Sequence, residues 1–199
     1  MVAMTNKLVA FSQRDSRWSA QQLGAGEYTL GQAGCLVTAV ASMLSNWDID
    51  TDPARLNIFL TEHNGYASGD LYKWDTLSSF GVRATAIINC GGVPAPIELL
   101  ASGLSDGLGL IAEVDWNPGG PLNPHFVWVI SLNASNGVIV DPWALPGQEM
   151  TLLDTYLAAN WTPARGLFYA ALYSQAPTGV VGMTAKRRGH QKALCVRED

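Results

Sequence analysis

Hydrophobic residues recur at helical spacing in the segment that follows Gly34. The apolar positions that share one face of this segment are Leu36, Val37, Val40, Met43, Leu44 and Trp47. Recurrence at three and four residues is typical of a helix with one buried face, so the pattern predicts a helix from Cys35 to Trp47. Residues 21–34 hold four glycines and predict a loop that leads into it.

Three further helices and a short strand are predicted in the first half of the chain. Asp52-Pro53 is a helix-start signal, because an aspartate can cap the first turn and a proline fits its first position. Asn64-Gly65 marks the end of that helix, and Gly81 stops the next one. The predicted spans are a strand over residues 7–11 and helices over residues 53–64, 70–80 and 94–102.

Strand signals are concentrated in the second half. Short β-rich runs bounded by Gly, Pro or Asn cover residues 83–89, 109–114, 126–132, 138–141 and 167–172. The intervening Asn133-Ala-Ser-Asn-Gly137 predicts a hairpin loop. Helices followed by antiparallel strands indicate an α+β fold, with a nucleophile helix near the amino end packed on an antiparallel sheet.

Length and composition are those of a folded domain. The chain has 199 residues, 48% of them hydrophobic and 15% charged. This composition can fill a core, and we expect residues 1–173 to form one domain and residues 174–199 a flexible C-terminal extension. The net charge of -5 argues against nucleic acid as the main partner. No membrane span or signal peptide is evident, which predicts a cytoplasmic protein, or one released by lysis or a dedicated export system.

The three cysteines do not form a recognisable metal or disulfide pattern. Cys35, Cys90 and Cys195 are widely spaced, no Cys-x-x-Cys occurs, and the histidines lie far from any cysteine. Such spacing predicts no structural zinc, no disulfide framework and no cofactor. One reactive thiol with two incidental cysteines is the simplest interpretation.

Cys35 is the best candidate for that reactive thiol. It follows Gly34 at the predicted start of a helix, where free backbone N–H groups and the helix dipole favour a thiolate. His125 begins one predicted hairpin strand and Asp141 ends the next, so both can lie at the same end of the sheet. Each residue alone has an ordinary structural explanation: a buried core cysteine, a histidine that satisfies a carbonyl, a turn aspartate before proline. Their order, Cys then His then Asp, is that of a papain-like cysteine hydrolase.

Four sequence blocks occur together with this set. They are Gln13-Arg-Asp-Ser-Arg-Trp18, the glycine-rich segment from Leu23 to Cys35, His125-Phe-Val, and Val140-Asp141-Pro142-Trp143. Together the blocks resemble papain-like peptidases of the bacteriocin-processing (double-glycine) type, and most closely the stand-alone members found in bacteria and their phages. The resemblance covers about residues 8–172, and its most specific part is the block before Cys35.

The resemblance implies a papain-like fold and a role for each matched residue. Cys35 would be the nucleophile, His125 the general base and acid, Asp141 the residue that orients the histidine, and Gln13 a donor in the oxyanion hole. Gln13 lies 22 residues before Cys35, farther than in the transporter-linked members, so Gln32 is a second candidate. No transporter or ATPase segment is present, and the double-glycine specificity of those relatives is not carried over.

These expectations lead to one function and two alternatives. The first is a cysteine peptidase that cleaves peptide or isopeptide bonds of a peptide or protein through a thioester acyl-enzyme. A second possibility with the same catalytic residues is an endopeptidase or amidase that acts on the stem peptides of peptidoglycan. The third is a domain that binds peptides without turnover.

Overall fold

The computed structural model describes residues 8–176 and has a mixed α+β architecture. The helices in this range are α1 (Leu30–Ala33), α2 (Cys35–Ser45), α3 (Pro53–Glu62), α4 (Ile97–Ser105) and α5 (Pro163–Gly166), with 3₁₀ helices at Thr76–Phe80 and Leu153–Tyr156. The strands are β1 (Tyr66–Ala67), β2 (Leu71–Tyr72), β3 (Val82–Asn89), β4 (Gly109–Asp115), β5 (Pro124–Leu132), β6 (Gly137–Val140), β7 (Met150–Leu152) and β8 (Tyr169–Gln175). No helix among the described residues is long and apolar enough to cross a membrane.

A six-stranded antiparallel sheet organises the molecule. Its strand order is β3-β8-β4-β5-β6-β7, so β8 inserts between β3 and β4, while β4, β5, β6 and β7 follow one another as a meander. The β5–β6 connection is the predicted hairpin loop, in which the Asn133 amide donates to the Asn136 carbonyl. The predicted α+β class and antiparallel sheet are confirmed.

Helices cover both faces of this sheet. The middle of α2, from Val37 to Leu44, is buried throughout, because α2 packs on β5 and β4 on one side and on α3 on the other. Alternate residues of β5 serve the two cores: Phe126 and Trp128 face the α2 side, and Val127 and Val129 the α4 side. The sheet therefore holds α2, and with it Cys35, in a fixed position against β5.

The segment before α1 is not the strand that the sequence predicted over residues 7–11. Residues 8–12 are irregular, and residue 7 lies outside the described range. The Val9 amide donates to Asn46 Oδ1 (3.2 Å), and the Phe11 amide donates to Ser42 Oγ (3.0 Å). Since side chains of α2 and of its C-cap residue satisfy these amides, the segment needs no partner strand.

The helix predicted over residues 70–80 was also wrong. Residues 66–72 form the β1–β2 hairpin, and only Thr76–Phe80 coils, as a 3₁₀ helix. Ser68 (φ 48°) and Gly69 (φ 95°) both adopt left-handed backbone, which turns the chain back before a helix can begin. The expected stop at Gly81 (φ 71°) is present.

The boundaries of α4 and β8 also differ from the predicted ones. The helix predicted over residues 94–102 begins at Ile97 and ends at Ser105, because Pro96 occupies its N-cap and the residue before a proline disfavours helical backbone. The strand β8 continues to Gln175, two residues beyond the predicted domain end. Residues 177–199, which contain most of the expected flexible extension, lie outside the described range, and that extension remains a prediction.

Candidate active site

Cys35 is the first residue of α2. The short helix α1 ends at Ala33, and Gly34 joins the two helices with its amide donating to the Leu30 carbonyl (2.8 Å). A Cβ on Gly34 would collide with that carbonyl, so a glycine is required for this close turn. No side chain caps α2, which leaves the amides of its first turn, including that of Cys35, without an intrahelical acceptor.

His125 and Asp141 lie side by side at one end of the β5–β6 hairpin. The His125 Nε2 and Asp141 Oδ1 atoms are 2.8 Å apart, and both side chains are buried. The Cys35 sulfur lies close enough to the imidazole to raise the pKa of His125. Since Nε2 is engaged by Asp141, Nδ1 is the ring nitrogen that remains for the sulfur. The structure thus brings the three predicted residues into contact.

Three donors surround the Asp141 carboxylate. Besides His125, the Trp143 amide donates to Oδ1 (2.9 Å) and the Tyr156 hydroxyl donates to Oδ2 (2.6 Å). Burial alone would raise the pKa of Asp141, but these hydrogen bonds outweigh it and keep the pKa below the usual range. The residue is therefore held as a carboxylate beside the imidazole.

The charge state of His125 follows from its two neighbours. Burial disfavours the imidazolium, but the hydrogen bonds to Asp141 and Cys35 and the negative charges of both raise the pKa of His125 to about 9. At neutral pH the ring is consequently a cation beside the Asp141 carboxylate. An imidazolium in contact with a sulfur is the state from which cysteine hydrolases react.

Aromatic rings enclose the imidazole. The Trp116 ring meets His125 edge-on at 4.9 Å between centroids, and Tyr156 lies at 5.3 Å. Trp143 contacts Trp116 at 5.0 Å, and the Arg14 guanidinium lies over Trp143 at 5.1 Å. These rings exclude water from the His125–Asp141 pair, which strengthens its electrostatic interactions.

Gln13 and Gln32, the two candidates for the oxyanion hole, have different environments. Gln13 is buried. Its backbone N–H donates to the Pro142 carbonyl (2.7 Å), and its side-chain Nε2 donates to the Gly31 carbonyl (3.1 Å). Gln32 is exposed, and its Oε1 accepts from the Thr29 amide (2.9 Å) as part of the α1 cap. Gln13 keeps a second N–H on Nε2, so it is the better of the two candidates, and its catalytic role remains a prediction.

Cys90 and His63, the remaining cysteine and histidine of the described residues, lie apart from this group. Cys90 is buried at the end of β3 among the residues of the α4-side core, and burial raises the pKa of its thiol. His63 is exposed at the C-cap of α3. Cys195 lies outside the described range. Within residues 8–176 no three His, Cys, Asp or Glu side chains are grouped so as to hold a metal ion.

Tyr156 is the member of this group that the sequence did not reveal. It lies in the 3₁₀ helix after β7, 15 residues beyond Asp141, and no motif marks it. Tyr156 reaches Asp141 because the chain turns back after β7 toward the end of the sheet where Asp141 lies. Trp116 is a second such residue, and it packs directly on the His125 ring.

Replacing Tyr156 with phenylalanine is expected to lower kcat/KM by about tenfold, because a hydrogen bond to a charged group is lost while the ring remains. The carboxylate then loses a donor, so the pKa of Asp141 rises and the acid limb of the pH profile moves to higher pH. The matched control is Tyr28→Phe, at an exposed tyrosine, which should change neither quantity. A Tyr156→Phe profile that is lowered at every pH without a shift would indicate only a packing role.

Comparison with solved structures shows what the chain is similar to in fold. No family model and no curated protein matches the chain. The chain is similar to the crystal structure of a protein from Bacillus anthracis provisionally assigned as a C39-like peptidase. The identity is 16% and the TM-score 0.47, over 84% of this chain and 94% of the other.

Proposed function

We propose that this protein is a papain-like cysteine peptidase with Cys35 as nucleophile. The observation that carries the proposal is that His125 is hydrogen-bonded to Asp141, which accepts from Tyr156, and that the Cys35 sulfur lies close enough to the same imidazole to raise its pKa. Nucleophile, base and orienting carboxylate in contact are the parts that acyl transfer requires. Their burial and aromatic enclosure support a preorganised site.

The reaction begins with attack of the Cys35 thiolate on the carbonyl carbon of the scissile amide. The carbonyl electron pair moves onto oxygen, and the oxyanion accepts hydrogen bonds from the Cys35 amide and the Gln13 side chain. His125, protonated at neutral pH, gives its proton to the departing amine as the C–N bond breaks. The products of this half-reaction are a Cys35 thioester and a free amine.

The second half-reaction returns the enzyme to its first state. His125, now neutral, takes a proton from a water molecule that attacks the thioester carbonyl. The tetrahedral intermediate then collapses, a carboxylic acid leaves, and the Cys35 thiolate is restored beside the imidazolium. Asp141 keeps the imidazole oriented in both halves through its bond to Nε2.

The pH dependence of Cys35 alkylation by iodoacetamide tests this proposal. The experiment uses a Cys90→Ser/Cys195→Ser background, so that Cys35 is the one thiol present. We expect fast labelling that persists below about pH 6 and is lost in a His125→Ala variant, because the imidazolium stabilises the thiolate. Labelling that rises only near about pH 8.5, as for an ordinary thiol, would contradict the proposal and favour a domain that binds peptides without turnover.

The proposal also extends to the class of substrate, which we infer to be a peptide or protein. A peptide or protein substrate fits the need for a protonated amine leaving group, which the His125 imidazolium can supply. Nothing in the described residues favours peptidoglycan stem peptides over other peptides. Digestion of a denatured protein mixture, in parallel with clearing on cell-wall gels, separates the two substrates.

A further inference from the structure

Glu113 is a carboxylate for which the proposed mechanism has no use. It lies in β4, where Leu110, Ala112 and Val114 belong to the α4-side core and Ile111 to the α2-side core. Because side chains of a strand alternate between faces, Glu113 points to the α2 side, as Ile111 does. The side chain is therefore on the face of the sheet that carries the nucleophile helix.

The neighbours of Glu113 are aromatic. Phe126 in β5 and Tyr169 in β8 are its direct cross-strand partners, so the three side chains form a row across three strands. Trp74 extends over this row, stacked on Tyr169 at 5.3 Å and 6.0 Å from Phe126. A carboxylate with aromatic rings on both sides has the composition of a site for an organic cation.

The row adjoins the reactive residues. Phe126 directly follows His125 in β5, and His125 pairs with Val114, the residue after Glu113. Cys35 packs against the same core cluster that contains Phe126 and Trp74. Cys35 and Glu113 therefore lie on the same side of the sheet, beside the same aromatic residues.

No described residue neutralises this carboxylate. Nothing between residues 8 and 176 donates a hydrogen bond to it or pairs with its charge, and burial raises the pKa of Glu113 to about 7. The side chain is half-buried, and its oxygen atoms are not among those sealed from solvent. Asp115 in the same strand differs from Glu113, because its buried carboxylate accepts hydrogen bonds from the backbone amides of Asn117 and Asn123 (3.1 Å each) and so has a structural role.

We infer that Glu113, with Phe126, Tyr169 and Trp74, forms a subsite that selects substrates carrying a positively charged amine or guanidinium group close to the scissile bond. The methylene stem of a lysine or arginine packs on Tyr169, the partly exposed ring of the three, and its head pairs with the carboxylate. This assignment rests on the proposed peptidase function and adds a preference to it. The free α-amine at a peptide's amino terminus is also a cation, so the test must distinguish it from a lysine or arginine side chain.

The test is to map the cleavage sites of a peptide library by mass spectrometry for the wild type, Glu113→Gln and Glu98→Gln. The library is a glutamyl-endopeptidase digest of a bacterial proteome, used in three forms. In the first all amines are free, in the second the α-amines are blocked, and in the third both the α-amines and the lysine side chains are acetylated. Glu98 is exposed on α4, on the opposite face of the sheet, so its variant matches the change in net charge without touching the subsite.

We expect basic residues to be enriched about tenfold at one fixed distance from the bond that the wild type and Glu98→Gln cleave. Glu113→Gln should lose this enrichment and still cleave peptides with neutral residues there. Enrichment that survives α-amine blocking assigns the cation to a side chain, and enrichment seen only with free α-amines assigns it to the amino terminus. Wild-type cleavage without basic enrichment, or equal enrichment in Glu113→Gln, would overturn the subsite.

A wild type that cleaves no peptide would overturn the proposed function, and the subsite is then decided by binding. The same library is passed over immobilised Cys35→Ala and Cys35→Ala/Glu113→Gln proteins, and the retained peptides are identified. Retention of basic peptides that disappears with Glu113→Gln supports the subsite, and equal retention by the two proteins overturns it.

Discussion

Replacing Cys35 with alanine is expected to reduce peptide hydrolysis by about 10⁴-fold or more, because no other group in the site can form the acyl-enzyme. The fold should be retained, since Cys35 is only partly buried at the start of α2 and the helix is held by its buried middle. Circular dichroism and thermal unfolding would check this, with a Tm within about 4 °C of the wild type.

Cys90 provides the matched control for this experiment. It is buried in the α4-side core, away from His125, so Cys90→Ala should lower the Tm modestly and leave kcat/KM near the wild-type value. Full activity in Cys35→Ala would contradict the proposed function. Equal losses in the two variants would mean that the measured activity depends on stability and not on the thiol.

Replacing His125 with glutamine is expected to lower kcat/KM by about 10³-fold or more, because both the base and the acid are removed. The same change should alter how stability depends on pH. The folded protein raises the pKa of His125 from 6.5 to about 9, so the protonated ring stabilises the native state. That stabilisation is fully present below about pH 6.5 and is lost as pH rises through about 9.

Urea unfolding at pH 6 and pH 10 measures this second effect. From the raised pKa, the free energy of unfolding of the wild type should fall by about 3 kcal/mol more than that of His125→Gln over this interval. His63→Gln, at an exposed C-cap histidine, is the control that should behave as the wild type. Parallel changes in the wild type and His125→Gln would contradict a charged imidazole in the folded site.

Local sequence patterns were sufficient for the elements that carry the site. The apolar spacing after Gly34 predicted α2, and β-rich runs on either side of a hairpin loop predicted β5 and β6. From these, the meeting of His125 and Asp141 follows, because adjacent antiparallel strands bring the start of one beside the end of the next. Each inference needed only short-range information along the chain.

The parts that sequence did not reveal depend on contacts distant in the chain. Tyr156 reaches Asp141 only after β7 and a 3₁₀ helix return the chain, and no periodicity encodes that path. The row of Glu113, Phe126 and Tyr169 joins residues of three strands, and Trp74 is added to it from a loop. The error at residues 70–80 arose at Ser68 and Gly69, whose left-handed backbone outweighs a helical pattern.

The insertion of β8 between β3 and β4 has a consequence for the order of folding. During synthesis the β4–β7 meander can pair as its strands emerge, whereas β3 has no neighbour in the sheet until residues 169–175 have been made. Pairing of such high contact order is slow, because a long loop must close first. Tyr169, part of the aromatic row, arrives only with that step. The nascent chain therefore carries Cys35, His125 and Asp141 before it can complete the proposed subsite at Glu113.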